Sequence, residues 1–226
     1  MAPYLTHMKN NKPRGFTLTE LLVSITIIII LAAIIFTSSS RAINNSQKAV
    51  CVSNFRGIAG ALQMYTIDRA GRLPGPLNTG QSARYMKTDS RSLLTFIAEY
   101  MEGDNDVTDG PYLVQNYGCP SLLKKISGNT ITSPAVVYRL EPRGGILYSN
   151  AGEDITYPWG YNAAVIPKRI DQISPRSAGR VIAITEQDQT MGGTWTNNGA
   201  SGPAHGNQRM ALFWDMSVRP VNLSVW

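Results

Sequence analysis

Residues 16–36 read FTLTELLVSITIIIILAAIIF, an apolar run with one charge, Glu20, and neither Pro nor Gly. A helix over this run, at ~1.5 Å per residue, reaches roughly 30 Å, about the thickness of a bilayer core. The pattern then changes character rather than ending. Residues 37–68 contain no Pro, and Cys51, Phe55, Ile58, Leu62 and Tyr65 recur at spacings of 4, 3, 4 and 3. That period places one buried stripe on a continuing helix, with Ser, Asn, Lys and Arg on its other faces. The spacing therefore predicts one long helix, apolar all round over 16–36 and one-sided over 37–70.

Gly71-Arg72-Leu73-Pro74-Gly75-Pro76 ends that helix and opens a head spanning 71–226. A short helix is expected at 91–101, an acidic loop at 104–110, and a tight turn with one helical turn at Cys119-Pro120-Ser121-Leu122-Leu123. Strand-like runs follow at 135–140, 145–149, 161–166, 180–185 and 209–214. In the last, Met210, Leu212 and Trp214 alternate with Arg209, Ala211 and Phe213, so both faces are largely apolar and a central, buried strand is expected. Residues 189–203, rich in Gly, Thr and Asn, read as a long mobile loop. The fold class expected is α+β: a long N-terminal helix, its first half transmembrane, packed against an antiparallel β-sheet head.

Composition agrees with a loop-rich head, because charged residues are only 16% while Gly and Pro number 20 and 13. The formal charge is +6, but residues 1–15 carry Lys9, Lys12 and Arg14 and no acid. Without them the balance is 18 − 15 = +3. No basic cluster or nucleic-acid motif accompanies it, so nucleic acid is not an expected partner. The basic leader keeps its end of the apolar helix in the cytoplasm and directs the rest outward.

Glu20 is the anomaly, since a carboxylate in hydrocarbon costs several kcal/mol unless it finds a partner. The residues allow three readings: an ordinary single-pass anchor with Glu20 near the headgroups; a secretory signal peptide cut near Ser40-Arg41-Ala42; or a processed filament subunit. Arg14-Gly15-Phe16-Thr17-Leu18-Thr19-Glu20 resembles the cleavage and methylation site of type IV prepilins and type II secretion pseudopilins. The resemblance implies cutting between Gly15 and Phe16 by a prepilin peptidase, N-methylation of Phe16, and pairing of Glu20 with the Phe16 amine of a neighbouring subunit. It implies a pilin-like fold and a single-pass inner-membrane precursor with a periplasmic head. The partners it implies are other pilin subunits, an inner-membrane assembly platform and membrane lipid.

The head resembles a bacterial pilin-like family common in planctomycete and verrucomicrobial lineages. The residues carrying this are Cys51-Val52-Ser53-Asn54-Phe55-Arg56-Gly57-Ile58 with Tyr65, Gly71, Leu73 and Pro74; Cys119-Pro120-Ser121; Trp159-Gly160-Tyr161-Asn162; and His205 followed after nine residues by Asp215. That family ends in Asp-Gly-His-Val, where this chain has Asp215-Met216-Ser217-Val218. Met216 does not take positive φ cheaply, so a turn other than type I′ is expected there. The two cysteines, exported to an oxidising compartment, could pair or remain free; the family pattern implies a Cys51–Cys119 disulfide. Such a bridge contributes roughly 3–4 kcal/mol.

Candidate chemistry is sparse. His205 is the single His left beyond the leader, and no nucleophile elbow accompanies it, so an enzyme is not expected. His205 and Asp215 are expected to share a hydrogen bond that anchors the last loop. Asp104, Asp106 and Asp109, hard oxygen donors in one loop, are candidate calcium ligands, with Glu186 and Asp188 a second, weaker pair. One His and two Cys expected to be bridged make zinc an unexpected ligand. The competing functional class is a membrane-anchored module that binds a ligand, such as carbohydrate, through exposed Trp159, Trp195 or Tyr161.

Overall fold

The computed structural model describes residues 15–102, 110–114, 116–128, 130, 134–140, 157–160, 164–173, 179–191 and 199–225. Helix α1 runs from Leu18 to Asp68 without a break, as the absence of Pro predicts. The chain divides into two units, Met1–Asn44 and Asn45–Trp226.

The first unit is helical from Leu18 onward. Its side chains from Phe16 to Phe36 are exposed, and Leu18–Phe36 is long and apolar enough to cross a membrane. Its start is capped from within the sequence. Thr17 Oγ1 donates to Glu20 Oε2 at 2.7 Å, and the Thr17 N–H donates to the same oxygen at 2.9 Å. The Glu20 N–H returns a bond to Thr17 Oγ1 at 3.3 Å, closing a reciprocal Thr-x-x-Glu box over two of the helix's orphan donors.

The second unit carries the core. Cys51, Phe55, Ile58 and Leu62 are completely buried on one stripe of α1, with Tyr65 at their end. Phe55 meets Tyr138 at 4.8 Å between ring centroids, and Tyr65 meets Phe96 edge-on at 5.9 Å. Polar ties flank the stripe: Asn54 Nδ2 donates to the Gly118 carbonyl at 2.8 Å, and Ser121 Oγ to Gln47 Oε1 at 2.8 Å. The helix stops in a Schellman arrangement, with the Gly71 N–H on the Thr66 carbonyl at 2.6 Å. Ala70 and Gly71 both take positive φ there, 53° and 82°.

Helix α2 spans Leu93–Glu102 and α3 Pro120–Leu123, both close to their expected positions. Strands β1 (Gly80–Ser82), β4 (Val136–Leu140), β5 (Ile182–Glu186), β6 (Gln208–Phe213) and β7 (Val218–Asn222) form a five-stranded antiparallel sheet in the order β1-β4-β5-β6-β7. β2 (Arg84–Tyr85) and β3 (Tyr112–Leu113) form a separate antiparallel pair. The sheet therefore packs α1 in an α+β arrangement, as expected.

Strand β6 is flanked on both sides and buried along nearly all its length. Met210, Leu212 and Trp214 join the main core, whereas Ala211 and Phe213 pack with Ile182 and Val221 on the other face. Of the other expected strands, 145–149 lies outside the described residues. Residues 164–166 form a turn and a single bridge rather than a strand, because Pro167 follows at once and cannot donate to a ladder. β7 escaped notice for the same kind of reason: Pro220 sits in it opposite Met210. An edge strand tolerates a residue without an N–H, and β7 is the edge.

The β6–β7 turn corrects one detail. Met216 does adopt positive φ, 61°, although neither Trp214 nor Asp215 does. The Met216 N–H bonds the Phe213 carbonyl and the Phe213 N–H bonds the Ser217 carbonyl, both at 2.9 Å. This is a type I turn followed by a left-handed residue, not type I′, and Met216 accepts that conformation while packing against the core.

Candidate functional site

The processing segment is laid out by the helix start. Gly15 has no atom within 4 Å of where a Cβ would stand, and Phe16 is 80% exposed just before Thr17. The proposed scissile junction, Gly15–Phe16, thus precedes the first helical residue, Leu18, outside regular secondary structure. Glu20 stands one turn further on, on the same capping box. A family model described as the prokaryotic N-terminal methylation motif matches residues 10–36. The N-terminus is prepilin-like. No curated protein and no solved structure matches the chain. That match covers the N-terminal segment alone and supports prepilin-type processing there, and the apolar helix fits membrane anchoring.

In the head of this prepilin-like chain, Cys51 on α1 and Cys119 before α3 form a disulfide, with Cα atoms 4.6 Å apart. It closes a sequence separation of 68 and ties the helix's buried stripe to the head. Both sulfurs belong to fully buried residues.

His205 does not pair with Asp215. Its Nε2 lies 3.4 Å from Cys119 Sγ and 3.3 Å from Glu186 Oε1. The two residues expected to share a bond stand at opposite ends of β6, which alone separates them by several residues at ~3.3 Å each. Asp215 instead organises its own turn, accepting from the Ser217 N–H at 2.9 Å and from Ser217 Oγ at 2.5 Å. His205 still holds the loop before β6, but against the disulfide and β5.

Glu186 is completely buried, and only one of its oxygens is satisfied: the Met210 N–H donates to Oε2 at 2.8 Å. Oε1 has no aligned hydrogen bond, although His205 Nε2 is close. Tyr138, opposite Glu186 in the β4–β5 register, has its hydroxyl pKa raised well above 10 by burial first and by the Glu186 charge second.

Asp188, two residues on, belongs to a separate buried pair. Arg209 Nε and Nη2 donate to its two oxygens at 2.7 and 3.1 Å, and the Thr190 N–H adds a bond at 2.8 Å. Burial pushes the Asp188 carboxyl up, but the Arg209 and Thr190 hydrogen bonds outweigh it and hold the group below its ordinary range. Arg209 thus engages both oxygens of Asp188, one of the two acids in the second calcium pair expected from the sequence. Asp104, Asp106 and Asp109 lie outside the described residues.

The carbohydrate reading loses one of its three aromatics. Trp159 is 2% exposed and packs on Trp214 with ring centroids 4.9 Å apart. Gly75 permits this approach: a Cβ there would overlap the Trp159 carbonyl oxygen. Trp195 and Tyr161 lie outside the described residues.

What the sequence did not reveal is the convergence of Cys51, Cys119, Glu186 and His205, whose ligand-type atoms all lie within 4.8 Å of one another. They come from four places in the chain, with no spacing motif. The one available signal was Glu186 at the end of an apolar strand run, where an acid needs a partner.

Proposed function

We propose that the chain is a structural subunit of a type IV pilus-like filament or type II secretion pseudopilus, cut between Gly15 and Phe16 and methylated on Phe16. The observation that carries this reading is the methylation motif set directly on an apolar helix, Leu18–Phe36, that is long enough to cross a membrane and is not buried within the subunit. A bilayer satisfies such a surface before assembly, and the same helices bundled in a filament core satisfy it afterwards. Extraction from the membrane then costs little, because apolar contact is exchanged for apolar contact.

In this reading Glu20 meets the amine freed at Phe16 of the adjacent subunit and sets the register, while the heads cover the filament's outside. The function is packing rather than catalysis. Within the head, His205, the disulfide sulfur of Cys119 and the Glu186 carboxylate do not form a proton relay: sulfur and carboxylate face the same ring nitrogen, whereas a relay needs opposite ones.

Two measurements test the proposal. The intact mass of membrane-extracted protein is expected to fit a chain starting at N-methyl-Phe16, and Gly15→Leu to retain the leader. Sheared fractions from cells with the assembly ATPase are expected to contain filaments that react with a tag on the head. A mature chain beginning near Asn44 would indicate a signal peptide and overturn it.

A further inference from the structure

The buried cluster around the disulfide has the geometry of a metal site in waiting. Three of its features point to this. Glu186 Oε1 is buried with no aligned hydrogen bond among the described residues, which is an expensive state for a carboxylate oxygen. His205 Nε2 faces both that oxygen and Cys119 Sγ, so one nitrogen is shared between two acceptor-type atoms. The second sulfur, Cys51 Sγ, completes a four-atom set within 4.8 Å.

The distances decide what such a set suits. Around zinc, M–N and M–O bonds of ~2.0–2.1 Å and M–S bonds of ~2.3 Å give tetrahedral edges of roughly 3.3 Å for N···O and 3.5 Å for N···S. The observed separations are 3.3 Å from Nε2 to Oε1 and 3.4 Å from Nε2 to Cys119 Sγ. Those edges already exist. The remaining pairs all lie within 4.8 Å, and the two sulfurs must part to ~3.8 Å, which is what breaking their bond allows. The second carboxylate oxygen is held by the Met210 N–H, which fixes Oε1 toward the centre as an outer hydrogen bond fixes a ligand.

We propose that in the dithiol form of this chain Cys51, Cys119, Glu186 and His205 bind one zinc-type divalent cation, and that metal and disulfide are alternative closures of the same site. Two thiolates, one imidazole and one carboxylate match a borderline-soft ion that favours four-coordination. On binding, each thiol gives up its proton, so two S–Cys–metal bonds replace two S–H bonds and two protons are released. On oxidation, the dithiolate passes two electrons to a disulfide-bearing oxidant, which takes up two protons from water and leaves as a dithiol, and the ion departs. The disulfide joins α1 to the residue before α3; the metal would join β5 and the loop before β6 to them as well. The inference does not depend on the filament reading.

The test uses the full chain in detergent micelles. A trialkylphosphine and water reduce the disulfide, giving the two thiols and the phosphine oxide. After removal of phosphine under nitrogen, the chain is titrated with Co²⁺ as a coloured stand-in and then with Zn²⁺. The reduced chain is expected to take up one equivalent of Co²⁺ with thiolate charge-transfer and intense tetrahedral visible bands, all displaced by Zn²⁺. The oxidised chain is expected to show neither. Bound Zn²⁺ is expected to protect both thiols from alkylation. His205→Ala and Glu186→Gln, each first shown to form the Cys51–Cys119 disulfide and native circular dichroism, are expected to weaken uptake by the order of tenfold or more. His205→Cys is expected to keep it, with a stronger charge-transfer band. Absence of tetrahedral bands in the reduced wild-type chain, or wild-type affinity in either weakening variant, overturns the proposal.

Discussion

Arg209 on β6 grips Asp188 with two hydrogen bonds, 2.7 and 3.1 Å long, and neither side chain is open to solvent, at 2% and 0% exposure. A buried pair of this kind adds little net stability compared with an apolar pair of the same shape, but losing one partner strands a charge. Asp188→Asn is expected to destabilise the head by about 3–5 kcal/mol, whereas Asp188→Leu combined with Arg209→Met costs much less. Urea unfolding of the four chains, read as a double-mutant cycle, checks both halves.

The same pair sets an acid limit. Because the folded Asp188 carboxyl lies below its ordinary value, its contribution is fully present above an unfolded value of about 3.9. That contribution is lost as pH falls through the lower, folded value. Thermal melting from pH 7 downward is expected to show a loss below about pH 4 in the wild-type chain that the apolar double variant largely lacks.

Glu20 has two roles that a single substitution can separate. It closes the capping box with Thr17, and in the proposed filament it also supplies a charge for the neighbouring Phe16 amine. Gln serves in a capping box as Glu does but carries no charge. Glu20→Gln is therefore expected to insert and be processed normally yet yield few filaments, and Glu20→Ala likewise to accumulate in the membrane. Immunoblots of membrane and sheared fractions read both steps. Normal filament yield from Glu20→Gln would reduce the residue to a helix cap.

The end of α1 offers a gain. Ala70 holds φ at 53°, a left-handed conformation costing an L-residue about 1–2 kcal/mol, and its side chain is exposed. Ala70→Gly removes that cost and returns roughly 0.5–1 kcal/mol in backbone entropy, for a net stabilisation of about 0.5–1 kcal/mol. A rise in the denaturation midpoint at unchanged slope verifies it.

The disulfide should matter in proportion to the loop it closes. With a separation of 68, Cys51→Ser with Cys119→Ser is expected to cost about 4 kcal/mol, and the wild-type chain to show no alkylatable thiol before reduction. Non-reducing peptide mapping and denaturant unfolding measure the two.

Much of this chain was legible without a structure because the signals are local. An apolar run of helical length, a 4-3-4-3 stripe and a Gly/Pro break define α1 by periodicity alone, and Arg14 to Glu20 define the processing motif by order. Strands β4, β5 and β6 were visible as apolar runs. β7 was not, since Pro220 is acceptable only at a sheet edge, and edge position is a property of the assembled sheet. Trp159 likewise read as exposed until Trp214 was brought against it.

Partner choice among buried polar groups was decided only in three dimensions. His205 and Asp215 are near in sequence, but a strand runs between them and carries its two ends apart. His205 instead meets Glu186 and Cys119, distant in sequence, where the β5 end, α3 and α1 close on one another. Periodicity reports which face of an element is apolar, because that follows from backbone geometry along one segment. Which acid meets which base depends on how separate segments are registered and stacked, and no single segment carries that information.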